Sequence, residues 1–156
     1  MKILGIDPGF GRVGIAVIEK GNKETLLYSE CFETNSKTPF VERLKLVGEK
    51  IDSIISEYSP DTLAIETLFF NNNQKTAMQV SEARGVILYE ASKNGLVVYE
   101  YTPLQIKDAV VGYGRGTKDQ VAHMVHQLIE INKEKIIDDE YDAIAVALTC
   151  SACIRE

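Results

Sequence analysis

The spacing of apolar positions changes several times along the chain, and each change marks an element. Lys2-Ile3-Leu4-Gly5-Ile6-Asp7 reads as a strand ending in the turn residues Pro8-Gly9-Phe10-Gly11. Val13 to Ile18 follows at hairpin distance, and Gly21-Asn22 separates it from a third apolar stretch, Leu26 to Phe32. Three strands so close in sequence predict an antiparallel start. From Pro39 the period lengthens: Phe40, Leu44, Val47, Ile51, Ile54, Ile55 and Tyr58 recur three or four apart. This is the stripe of an amphipathic helix, opened by Thr38 and Pro39 and stopped by Ser59-Pro60.

Thr62 to Glu66 is a short strand, apolar enough to lie centrally in a sheet, and it closes on a carboxylate. A second helix is predicted from about Lys75 through Lys93, ended by Asn94-Gly95, and Leu96 to Tyr101 reads as the fifth strand. Thr102-Pro103 opens a short helix, glycines 112, 114 and 116 break the chain, and Lys118 to about Ile131 reads as helix again. Asp138 to about Cys153 is a last helix of high apolar content. The order β-β-β-α-β-α-β-α-α describes an α/β fold, a mixed five-stranded sheet with an antiparallel first half, flanked by helices.

Length and composition narrow the picture without redirecting it. The 156 residues, 45% of them hydrophobic, suit one domain spanning 1–156 with a continuous core. No apolar run approaches the ~20 residues needed to cross a bilayer, and the N-terminus lacks the long apolar stretch of a signal peptide, so a cytoplasmic protein with no membrane partner is expected. Cys31, Cys150 and Cys153 are odd in number and read as free thiols rather than disulfides or a zinc site. The net charge of −6 is the wrong sign for coating nucleic acid by overall electrostatics. A local basic patch suffices for phosphate contacts, and metal-binding carboxylates add to a negative total.

Asp7 and Glu66 each end an apolar strand, on the sheet edge where α/β proteins bind ligands. Asp139 and Asp142 lie three apart at the start of the last helix, one turn apart on one face. Acids in a first helical turn also complement the helix dipole, and Asp138 and Glu140 share that turn. Four acids there exceed what the dipole needs, and the apolar run from Ala143 to Leu148 seats the helix against the sheet. All-oxygen sites suit hard cations such as Mg²⁺ or Mn²⁺. A pair of such ions about 4 Å apart favours phosphodiester chemistry over glycoside or acyl transfer. His123 and His126, one turn apart, read as surface residues rather than ligands.

Taken in order, five blocks covering nearly the whole chain resemble the RuvC family of Holliday-junction endonucleases, within the ribonuclease H-like superfamily. They are Gly5-Ile6-Asp7-Pro8-Gly9 with Gly14; Ala64-Ile65-Glu66 with Phe69; Ala83-Arg84-Gly85; Lys107 and Val111-Gly112-Tyr113-Gly114 with Lys118-Asp119-Gln120-Val121; and Asp139-Glu140-Tyr141-Asp142-Ala143. The first block alone is a modest signal, because actin-like ATPases begin similarly, but those need a duplicated domain. The resemblance implies that Asp7, Glu66, Asp139 and Asp142 are catalytic and bind two Mg²⁺ ions, with Mn²⁺ as a substitute. It further implies a homodimer that nicks four-way junction DNA symmetrically, leaving 5′-phosphate and 3′-hydroxyl ends, and a branch-migration motor as partner.

In the family the helix after the Glu-bearing strand makes the dimer contact. Here Ala77, Val80, Ala83, Val86, Ile87 and Ala91 suit close helix packing, and core burial explains the same stripe equally well. Phe69 matches an aromatic that stacks on a base near the junction centre, against the alternative that Phe69 and Phe70 both belong to the core. Lys107 and Lys118 match lysines of the active-site cleft. Arg115, Lys75 and Arg84 are further candidates for DNA contact. Cys150 stands where relatives commonly carry His. The rival readings are another ribonuclease H-like nuclease acting on RNA or RNA–DNA hybrids, and an inactive DNA-binding module.

Overall fold

The computed structural model describes residues 1–68 and 74–154, apart from the side chains of residues 74 and 75. Phe69 and Phe70 lie outside the described residues. Ten elements follow in order: β1 (Lys2–Asp7), β2 (Arg12–Glu19), β3 (Thr25–Glu33), α1 (Phe40–Tyr58), β4 (Thr62–Glu66), α2 (Gln74–Lys93), β5 (Val97–Tyr101), α3 (Pro103–Val111), α4 (Lys118–Leu128) and α5 (Asp138–Cys153). The five strands form one sheet in the order β3-β2-β1-β4-β5. The first three are antiparallel neighbours, as their spacing predicts, and β1, β4 and β5 run parallel.

Alternation along the central strands sends side chains to two cores. Leu4, Ile6, Ile15, Leu63 and Ile65 meet Val47, Ile51 and Ile54 of α1 and Ile87 of α2. Ile3, Ala16, Ile18 and Ala64 face the other way, toward Ala143, Ile144 and Ala147 of α5, with Ile106 and Val121 of α3 and α4 beside them. Each fully buried large aliphatic contributes about 1.5–3 kcal/mol, and loss through a one-residue slip would turn a whole strand inside out.

The α5 face is built from small residues, and two glycines allow the helix to lie almost on the backbone of the sheet. A Cβ on Gly5 would stand 2.4 Å from the carbonyl oxygen of Ala143, and one on Gly14 would stand 2.1 Å from that of Asp139. Both contacts are shorter than any real Cβ tolerates, so these positions admit no side chain. The helix thereby crosses β1 and β2 with its first turn over the end of β1.

Two capping boxes shape the cleft above that edge. Thr102 accepts from the backbone of Gln105 at the start of α3, Thr117 accepts from Gln120 at the start of α4, and each glutamine side chain returns the bond. Such a cap contributes about 1 kcal/mol. Between the helices Gly112 takes a left-handed conformation, φ 87°, that ends α3. Helix α4 stops at Leu128 rather than near Ile131, because Ile129 is extended and Glu130 bridges to Thr25 at the start of β3. Among the described residues no helix is long and apolar enough to cross a membrane.

Candidate active site

Asp7 and Glu66 are brought together by strand register. Ile6 pairs with Ile65 across the parallel β1–β4 ladder, so the next residue on each strand stands beside the other and points to the α5 face. From above, α5 contributes Asp142, and from the side α3 and α4 contribute Lys107 and Lys118. Together with Pro103, Ile106, Val121 and Ala145 they line a cleft of about 210 Å³. Asp139 lies one turn before Asp142, close enough for its charge to act on Asp7.

The electrostatics of this cleft are those of crowded carboxylates. Burial first, then the charges of Glu66, Asp142 and Asp139, push the Asp7 carboxyl up from 3.8 to about 8, while Lys118 opposes the rise. Glu66 is pushed up to about 7, again by burial and then by Asp142, with Lys107 and Lys118 lowering it. Burial also raises Asp142, and here Lys118 is the chief opposing charge. Desolvation and like charge both penalise the ionised form, and a bound cation relieves both.

Two of the acids have a cation of their own. Lys118 Nζ stands 3.7 Å from Asp142 and 3.9 Å from Asp138. Arg12 Nη2 stands 3.5 Å from Asp139 while its Nε meets Glu33 at 3.2 Å. Arg12 is a residue that sequence reasoning missed; its signal is an arginine at the start of the second strand, directly after the Pro8-Gly9-Phe10-Gly11 turn. With Asp139 drawn toward Arg12 and Asp142 toward Lys118, no three potential ligands among the described residues stand close enough together to hold a metal ion. The donor chemistry fits a hard divalent cation, all oxygen and short of positive charge, while gathering the oxygens requires side-chain rotation within the cleft.

The remaining predicted residues divide. Arg84 is turned inward: its Nε donates to the backbone carbonyl of Glu66 at 3.3 Å, and its guanidinium pairs with Glu100. At 17% exposure it buttresses the end of β4 from behind. Arg115 is exposed in the turn between α3 and α4 and is not among the residues lining the cleft. Lys75 falls in the first turn of α2, with its side chain outside the described part, as is the whole of Phe69. His126 is exposed and bonded to the Tyr141 hydroxyl at 2.7 Å, and His123 is exposed as well. Cys31, Cys150 and Cys153 are free thiols. Cys150 is buried beside Tyr101, two turns beyond Asp142, and burial lifts its thiol to about 11.

Comparison with known proteins follows the same lines. The sequence profile of the family described as crossover junction endodeoxyribonuclease RuvC matches residues 3–150. A curated relative of that name from Halothermothrix orenii is 49% identical over 149 residues, covering 95% of this chain and 90% of its own. Another, from Alkaliphilus oremlandii, is 47% identical over 149 residues, covering 95% and 91%. Among solved structures, Thermus thermophilus RuvC in complex with Holliday junction substrate superposes with a TM-score of 0.89 at 33% identity, covering 96% of this chain and 92% of that one.

Proposed function

The chain belongs to the RuvC family of crossover junction endodeoxyribonucleases, and on that premise we propose that it is a Holliday-junction resolvase, cutting phosphodiesters of four-way DNA in the cleft between β1, β4 and α5. The observation that carries this reading is Asp7 and Glu66 side by side, facing Asp142 across a cleft that also holds two lysines. Asp7, Glu66, Asp142 and Asp139 are its metal ligands. The chemistry that bound Mg²⁺ supplies, as two ions per site with Mn²⁺ as a substitute, is Lewis-acid polarisation of the phosphoryl group and relief of negative charge on the leaving oxygen.

The chain's own groups divide the rest of the work. Lys118, 70% exposed at the mouth of the cleft, and Lys107 on its wall meet phosphate oxygens. Their charge offsets the negative field that the acids present to an incoming strand, which matters in a protein of net charge −6. Ile106 and Val121 form an apolar side of the cleft that keeps its dielectric low. Arg115 and Lys75 extend the phosphate contacts outside the cleft, and Phe69 stacks on a base near the junction centre. Paired, symmetric nicks require two such clefts. A homodimer through α2 supplies them, supported by Met78 and Tyr89, which are 63% and 65% exposed on that helix. A branch-migration motor delivers the junction.

Side-by-side digestion of four-way junction, duplex, flap and RNA–DNA hybrid, with and without EDTA, tests the reading. Metal-dependent cutting of the junction, absent in Asp7→Asn with binding retained, is expected. Preference for the hybrid would instead identify a ribonuclease.

A further inference from the structure

Asp139 lies in the first turn of α5 and Asp142 begins the second, yet no side chain caps the helix; Ile137 occupies the cap position. Beneath this end the floor is Gly14, which allows close approach and offers no side chain to interlock with the first turn, whereas the large apolar contacts of α5, Ile144 and Leu148 among them, lie further along the helix. Apolar packing fixes the body of α5, and a polar contact can fix the rotation of its first turn. Glu140 is placed to do so. Its carboxylate, 6% exposed, accepts from Ser29 Oγ at 2.7 Å and from Lys133 Nζ at 2.6 Å. Lys133 Nζ also donates to the Ser29 carbonyl at 3.1 Å. Ser29 sits on β3 opposite Ala16 of β2, so one carboxylate ties the helix to the sheet and to the segment leading into it.

Helix geometry makes this peg directional. At about 100° per residue, Asp139 and Asp142 lie about 60° apart, whereas Glu140 is about 100° from one and 160° from the other. Holding Glu140 against β3 therefore turns both aspartates toward the opposite side, where Asp7 and Glu66 stand. None of Ser29, Lys133 and Glu140 lines the cleft.

We propose that Glu140, held by Lys133 and Ser29, is a positioning residue that sets the rotation of the N-terminal end of α5 and thereby the reach of Asp139 and Asp142 toward Asp7 and Glu66. The proposal rests on reading those four acids as a divalent-cation site. A buried carboxylate without its lysine is unstable where it stands, so loss of Lys133 releases the peg as effectively as loss of Glu140.

The test compares Mn²⁺ binding, followed by electron paramagnetic resonance, with the Mn²⁺ dependence of junction cleavage. Wild type, Asp7→Asn, Glu140→Gln, Lys133→Met and Lys133→Arg are measured, with Ile51→Val, in the core on the other face of the sheet, as a stability control. Glu140→Gln and Lys133→Met are each expected to weaken Mn²⁺ binding about tenfold. Their cleavage shifts to higher Mn²⁺, recovers at saturation, and keeps the wild-type KM for junction. Lys133→Arg, which keeps a cation beside Glu140, is expected to bind Mn²⁺ more tightly than Lys133→Met. Ile51→Val is expected to melt earlier with unchanged Mn²⁺ affinity. Unchanged Mn²⁺ affinity in Lys133→Met, whose lysine is half-exposed and whose folding is the safer of the two, would overturn the proposal and leave Glu140 a structural tie. Mn²⁺ binding that is absent in wild type, or identical in Asp7→Asn, would overturn the metal-site reading itself and this proposal with it.

Discussion

Replacing Asp7 by Asn is expected to abolish cleavage and at the same time to stabilise the metal-free protein above neutral pH. The carboxyl titrates near 3.8 in an unfolded chain and at about 8 in the fold, raised by burial and then by Glu66, Asp142 and Asp139. Between those values the folded state binds the extra proton, so stability falls as pH rises through the window and the penalty is complete above it. At pH 7 the gap is 7 minus 3.8 units, and at 1.36 kcal/mol per unit this is about 4 kcal/mol. Glu66, itself raised to about 7, titrates with Asp7 as a pair, and an unpartnered amide in the same place costs about 1–3 kcal/mol. A net gain of about 2 kcal/mol remains, about 4–8 °C in Tm for a chain of this size. Thermal unfolding by circular dichroism in EDTA at pH 4, 6 and 8 reads it directly: no advantage for Asp7→Asn at pH 4, a growing one above. Added Mg²⁺ should raise the wild-type Tm and not that of the variant. A Tm difference that does not change with pH, or a variant less stable at pH 8, would refute the account of Asp7 as a destabilised carboxylate.

Three further outcomes follow from the geometry. Gly14→Ala places a Cβ against the Asp139 carbonyl and lifts the first turn of α5 off the sheet, so a loss of about 1–3 kcal/mol in urea unfolding and at least tenfold in cleavage rate is expected. Lys118→Ala should weaken junction binding and reduce the slope of log K against log salt by about 1; an unchanged slope would remove Lys118 from the phosphate contacts. Arg84→Met should slow single-turnover cleavage about tenfold with junction affinity intact, because Arg84 holds the backbone at Glu66; weaker binding at an intact rate would instead make it a DNA contact.

What the sequence made legible was whatever repeats locally. The strands, the α1 stripe and the turn glycines are written in periods of two and near four, and Asp7 and Glu66 could be placed because each ends an apolar run. Their partnership with Asp142 was accessible for a similar reason, since an apolar helix must lie on the sheet. Pairings without local periodicity were hidden. Glu140 and Ser29 are 111 positions apart, and Lys133 and Ser29 are 104 apart. Arg84 reads as a surface cation in the sequence, and only the proximity of β4 and β5 gives its guanidinium inward partners. The end of α4 shifted because a tertiary bridge at Glu130 outweighs the propensity of the residues that follow.

The way α5 is laid across β1 also orders events at the ribosome. Asp142 is translated 135 residues after Asp7, 142 minus 7, so the two sides of the cleft meet only after α5 has emerged. At about 5–20 residues per second, many seconds pass in which the growing polypeptide has strands and no competent centre. A chain interrupted before α5 therefore holds β1 and β4 side by side with no Asp142 across the cleft, and no junction cleavage is expected of it.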